Sequence, residues 1–144
     1  MRHLTVAIVA VAALLFLLVR LVSVRQQTRS RKYALETAAI KAIQTLNTAQ
    51  VQYRSQYDRY AKTLADLGPS AADLIPADLA SGEKQGYLFK LTGTPVGYTI
   101  SAVPKSLGST GSRTFYSDQT LAIRENCGWL PATLNSREVG SARR

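Results

Sequence analysis

Histidine and cysteine are nearly missing from this chain: His3 and Cys127 occur once each and lie far apart in sequence. A zinc centre draws four ligands from a small menu, and Ser/His/Asp or Cys/His catalysis needs a histidine beside its nucleophile. Both are excluded on that count, and a lone cysteine makes no internal disulfide. Glycine and proline are absent from residues 1–67, the first being Gly68 and Pro69, and neither a G-x-G-x-x-G nor a P-loop occurs. The expectation is a protein without catalysis, cofactor, metal or small-molecule substrate.

Acidic residues are also scarce, nine against 18 Lys and Arg for a net charge of +9. Residues 1–60 hold nine basic and two acidic side chains, whereas residues 61–144 hold nine and seven. The basicity therefore belongs to the N-terminal part, beside an apolar run, which points to a membrane surface and disfavours nucleic acid as a partner. With 144 residues the chain holds one domain, or an anchor plus a smaller one.

The apolar run covers residues 4–24 and carries no charge except Arg20 near its far end. As a helix it is about 31 Å long, matching a hydrocarbon core of about 30 Å. Arg20 sits where its stem can stay in lipid while the guanidinium reaches headgroups. The competing reading is a cleaved secretory signal with residues 1–3 as its basic leader, but no A-x-A-like site follows. Arg25, Arg29, Arg31 and Lys32 come next, and the positive-inside rule taken alone places the C-terminal part in the cytoplasm.

From Leu35 the pattern becomes amphipathic. Leu35, Ala39, Ala42, Leu46, Ala49, Tyr53, Tyr57, Tyr60 and Leu64 recur at spacings of three and four, with Asn47 off the stripe. With no helix breaker before Gly68, the transmembrane helix is expected to continue as an amphipathic one over 25–62. A head over 63–125 follows, with a weak capping box at Ser70–Asp73 and one turn between Pro76 and Gly82 as mere connectors. Four strand-like runs come next: Tyr87–Leu91, Gly97–Val103, Arg113–Ser117 and Leu121–Arg124. The first two alternate Tyr87/Phe89/Leu91 and Tyr98/Ile100/Ala102, as half-buried strands do. The short breaks suit an antiparallel meander, and a one-faced sheet needs a cover. The expected fold is α+β, a long N-terminal helix packed on a small antiparallel β-sheet through Leu46, Tyr53, Tyr57 and Tyr60. Residues 126–144 read as an irregular C-terminal tail.

Three segments carry a resemblance. Ala39–Tyr53 is similar to the second half of the long helix of a subset of bacterial pilin-like proteins, Leu64–Gly68 to the segment after that helix, and Arg113–Gln119 to its penultimate strand and turn. In this order, behind an apolar N-terminal helix, the chain resembles the type IV pilin-like proteins, including the pseudopilins of type II secretion. The resemblance implies a single-pass inner-membrane protein with its head on the periplasmic side, and partners that are the lipid bilayer and other pilin-like subunits. Leu4, Ala7, Ile8, Ala10, Ala13, Phe16 and Arg20 would then serve anchoring and assembly, with Ala7, Ala10 and Ala13 as a small-residue row for a neighbouring helix. The chain departs from the family at the position before the cleavage point and shortly inside the apolar run, where His3 and Ile8 replace the usual glycine and glutamate. Retention of residues 1–3 and a minor or tip position follow as expectations. Two alternatives remain, a standalone inner-membrane binding module that never polymerises and a DNA-binding pilin-like protein. Asp66, Asp73, Asp78 and Asp118 lack the dense spacing of a calcium loop.

Overall fold

The computed structural model of the protein describes the backbone of residues 2–141 and the side chains of residues 13–141. The chain divides into two units, residues 1–31 and residues 32–144, and helix α1 (Arg2–Tyr57) runs through both. In the first unit every described side chain is exposed. Among the described residues no helix is long and apolar enough to cross a membrane. Of the predicted span 4–24, residues 4–12 lie outside those with described side chains.

The second unit is an α+β fold. Short helices α2 (Leu64–Leu67) and α3 (Ala77–Ala80) follow α1. Strands β1 (Glu83–Lys84), β2 (Tyr87–Gly93), β3 (Tyr98–Pro104), β4 (Arg113–Asp118), β5 (Ile123–Cys127) and β6 (Arg137–Glu138) form one antiparallel meander in sequence order. Tyr87, Phe89 and Leu91 of β2 and Tyr98, Ile100 and Ala102 of β3 turn inward, and their neighbours are more exposed. They meet Ala39, Ala42, Ile43, Leu46, Ala49 and Tyr53 of α1 in a single core. The alternating face of the sheet and the 3.6-residue stripe of the helix thus supply each other's cover.

Four expectations need correction. First, α1 stops at Tyr57, short of residue 62, because Asp58 adopts a left-handed φ of 54° while its N–H donates to the Arg54 carbonyl at 2.8 Å. A short polar side chain tolerates that conformation and ends a helix without glycine. Second, the capping box is Thr63 with Asp66, upstream of Ser70. Third, the connector is part of the core, since Ile75 and Leu79 are buried. Fourth, residues 126–144 are more than a tail. They add β6 to the sheet edge and bury Ala132, and the Leu130 carbonyl accepts from the Thr114 hydroxyl of β4 at 2.9 Å. An Arg137 to Glu125 ion pair ties β6 to β5. Alternation and turn signals do not reveal a two-residue strand.

Candidate functional site

Ala13, Phe16 and Arg20 are exposed, and the Arg20 guanidinium lies 5.2 Å from the Phe16 ring centroid. Around them Leu14, Leu15, Leu17, Leu18, Val19, Leu21, Val22 and Val24 are all exposed. Residues 13–24 thus form a helical stretch that exposes apolar side chains on every face, with Arg20 and Ser23 the polar exceptions. The side chains of Leu4, Ala7, Ile8 and Ala10 lie outside the described residues.

The four predicted packing residues part company. Leu46 is fully buried and Tyr53 is buried beside it. Tyr60 is buried but lies beyond the helix, its ring 5.0 Å from that of Tyr98 and its hydroxyl accepting from Arg54 at 2.7 Å. Tyr57 is 49% exposed, stacked on Tyr53 with centroids 4.4 Å apart, and does not pack on the sheet. The packed face of α1 lies slightly to one side of the apolar stripe, along Glu36, Ala39, Ile43, Leu46, Asn47 and Gln50, and Tyr57 is the last residue of the helix.

Three polar side chains therefore stand on the buried face. The Asn47 amide donates to the Ser117 hydroxyl of β4 at 2.9 Å, and its oxygen accepts from the Tyr98 hydroxyl of β3 at 3.0 Å. Gln50 holds the returning chain with both ends of its amide, donating to the Ala61 carbonyl at 3.0 Å and accepting from the Ala61 N–H at 2.9 Å. Glu36 accepts from the Ser112 N–H at 2.7 Å, the Ser112 hydroxyl at 2.8 Å and the Arg113 guanidinium at 2.9 Å. Arg113 also pairs with Glu125, which pairs in turn with Arg137, so that alternating charges run from α1 across β4 and β5 to β6.

The titration of these groups follows from their partners. Burial pushes the Glu36 carboxyl up, but the Ser112 and Arg113 donors together outweigh it and hold its pKa below the ordinary value. Burial works against the charged Arg113, and the carboxylates of Glu125 and Glu36 reverse that and raise it. Tyr87 and Tyr98 are raised above the ordinary phenol range, chiefly by burial. Among the described residues every buried side-chain nitrogen or oxygen has a hydrogen-bond partner. Glu36, Arg113 and Glu125 are thus committed to each other, an arrangement that fixes geometry.

A groove of about 610 Å³ is lined by Tyr33, Thr37, Lys41, Pro76, Lys84 and Gln85 among others. Its Lys84 is engaged by Asp78 at 2.8 Å. Among the described residues no three His, Cys, Asp or Glu side chains stand where a metal ion could be held. Asp66 caps α2, Asp78 pairs with Lys84, and Asp118 accepts from Thr120. Cys127 is exposed.

The polar seams at Glu36, Asn47 and Gln50 escape a reading based on apolar periodicity. One signal was present: Glu36 is the only acid before Asp58, three positions from Ala39 on the face that packs. Comparison with protein-family models, with curated proteins and with solved structures gives no match.

Proposed function

We propose that the chain is a membrane-anchored, pilin-like structural subunit of a type IV pilus or of a type II secretion pseudopilus-type filament. One observation carries this reading. Helix α1 is buried against a meander sheet from Glu36 to Tyr53, yet residues 13–24 of the same helix expose their large apolar side chains with no cover from their own unit. Lipid before assembly and the helices of other subunits after it would both supply that cover, since small residues let helices approach and apolar faces then pack. In this reading the inner membrane holds the helix and the head faces the periplasm.

Replacement of the family's glutamate by Ile8 supports a minor or tip position. That acid offsets a neighbouring subunit's terminal amine in an apolar filament interior, where an unpaired charge is costly. A subunit lacking it is best placed where the pairing is not required. Carbonate extraction of membranes followed by analysis of purified filaments tests the whole reading. The chain should stay with the membrane pellet and appear in filaments at a small fraction of the major subunit. Release by carbonate removes the anchor, and filaments built of this chain alone remove the tip assignment.

A further inference from the structure

Residues 32–144 present two uncharged surfaces that lie outside the core, and the first is a projecting loop. Residues 126–136 carry no charged side chain. The Gly128 N–H donates to the Ser112 carbonyl at 3.0 Å, and the Leu130 carbonyl accepts from the Thr114 hydroxyl at 2.9 Å and from the Asn126 amide at 3.0 Å. Ala132 is buried. Between these ties Trp129 is 83% exposed and Leu130 72%. The loop is held in place while its two largest apolar side chains stand in solvent.

The second is a groove of about 320 Å³ lined by Gln44, Asn47, Thr48, Val51 and Leu121, again without a charged side chain. Val51 and Leu121 are each 51% exposed. Leu121 lies in the turn from β4 to β5, where its N–H donates to the Asp118 carbonyl at 2.9 Å and its φ is 66°. Glycine or asparagine takes that left-handed conformation at less cost, and strain of this kind is retained where the side chain has a use. Within its own chain Leu121 belongs to no part of the core.

We infer that Trp129 and Leu130 of one copy of the chain seat in the Val51–Leu121 groove of a second copy. Strand pairing puts Cys127 opposite Arg113, at the Glu36 end of the unit, whereas Leu121 lies past Asp118 at the other end of the same hairpin. The length of β4 is about 17 Å, and Glu36 to Val51 is about 22 Å along α1, so loop and groove do not meet within one chain. Joining two different patches makes a head-to-tail contact, in which each pair keeps one free loop and one free groove. Charge selects this occupant. At a net charge of +9 two copies repel, and uncharged surfaces are where they approach at least cost. The same neutrality gives an acidic or basic ligand nothing to pair with. An indole buries about 150–250 Å², so the contact falls well short of the roughly 1,200 Å² of the smaller stable interfaces. It is therefore a weak contact that forms when copies are crowded, too small to hold a shaft together by itself. The inference concerns residues 32–144 alone and does not rest on the membrane and filament reading.

Trp129 is the chain's one tryptophan, so its fluorescence reports this loop alone. The full chain in detergent solution would be titrated over protein concentration at constant detergent, with iodide as the quencher. Quenching of Trp129 should fall by about half as concentration rises, since each pair seats one loop of two. Val51→Lys and Leu121→Gly, both in the groove and about 20 Å from Trp129 of the same chain, should each abolish the fall. Leu121→Gly also relieves the left-handed φ and should melt no lower than the parent, which separates loss of contact from loss of fold. Cross-linking checks the geometry through Cys127, which is exposed beside Trp129. With Gln44→Cys at the groove rim, a short bismaleimide should join position 44 of one copy to Cys127 of another and give dimers and trimers, while the parent stays monomeric. Quenching that does not change with concentration, or a fall that survives both groove variants, overturns the inference; the second result assigns the shielding to association through the apolar helix. Parent dimers linked through Cys127 set loop against loop and overturn it as well.

Discussion

Gln85 and Gly86 make the two-residue loop between β1 and β2, and both have positive φ, 47° and 78°. Such loops match the twist of the strands, but only glycine and short polar residues adopt them without strain. Gln85→Asn is expected to stabilise the protein by about 0.5–1 kcal/mol, read as a higher denaturant midpoint with unchanged slope. Glu36 presents the opposite case, a residue whose removal exposes what it satisfies. Its folded pKa lies below the ordinary 4.5, so its contribution is complete above that pH and is lost as pH falls through the lower folded value. Glu36→Gln leaves Arg113 short of a carboxylate and should cost about 2–4 kcal/mol at neutral pH. The variant should also lose less stability than the parent on acidification, and parallel pH curves for the two would contradict the assignment.

At the scale of elements, the end of α1 and the segment after it are governed by Gln50. Asp58 ends the helix, Tyr60 turns inward against Tyr98, and the amide of Gln50 then binds both polar groups of Ala61. Gln50 and Ala61 are buried, so truncation strands an N–H and a carbonyl, each costing about 1–3 kcal/mol. Gln50→Ala is therefore expected to destabilise by about 2–4 kcal/mol and to raise amide exchange at Ala61 and Gly93, whose N–H donates to Lys62. Exchange confined to the parent's pattern would show that the core alone holds this segment. The sheet's other edge is held by charge, with Arg137 of β6 on Glu125 of β5.

For the whole molecule, the two stretches of α1 face different surroundings. Residues 36–53 are stabilised by their own sheet, whereas the side chains of residues 13–24 are exposed. Under the proposed reading, the identity of residues 3 and 8 governs whether that partner is a filament shaft. His3→Gly together with Ile8→Glu restores the family's cleavage glycine and its interior acid. The pair should yield a chain shortened at the N-terminus, seen by intact mass, and a several-fold higher content in purified filaments. An unshortened double variant, or one no more abundant in filaments, would show that other residues keep the chain out of the shaft. Intact mass of the parent should include residues 1–3.

Much of the architecture was legible because it rests on periodicity. The 3.6-residue stripe of Ala39, Ala42, Leu46 and Ala49 and the two-residue alternation of Tyr87/Phe89/Leu91 and Tyr98/Ile100/Ala102 each define one buried face, and two one-faced elements cover each other. The uneven charge and the scarcity of histidine and cysteine follow from composition alone. What tertiary structure decided was the rotation of α1 on the sheet and everything that depends on it. Glu36, Asn47 and Gln50 are costly to bury alone, and only Ser112, Arg113, Ser117, Tyr98 and Ala61, many residues distant, make that burial favourable. The same holds for the C-terminal segment, whose two-residue strand has no pattern to display and exists because β5 offers it an edge and Glu125 a charge. Local pattern determines which faces are apolar, and long-range partners determine which polar groups join them.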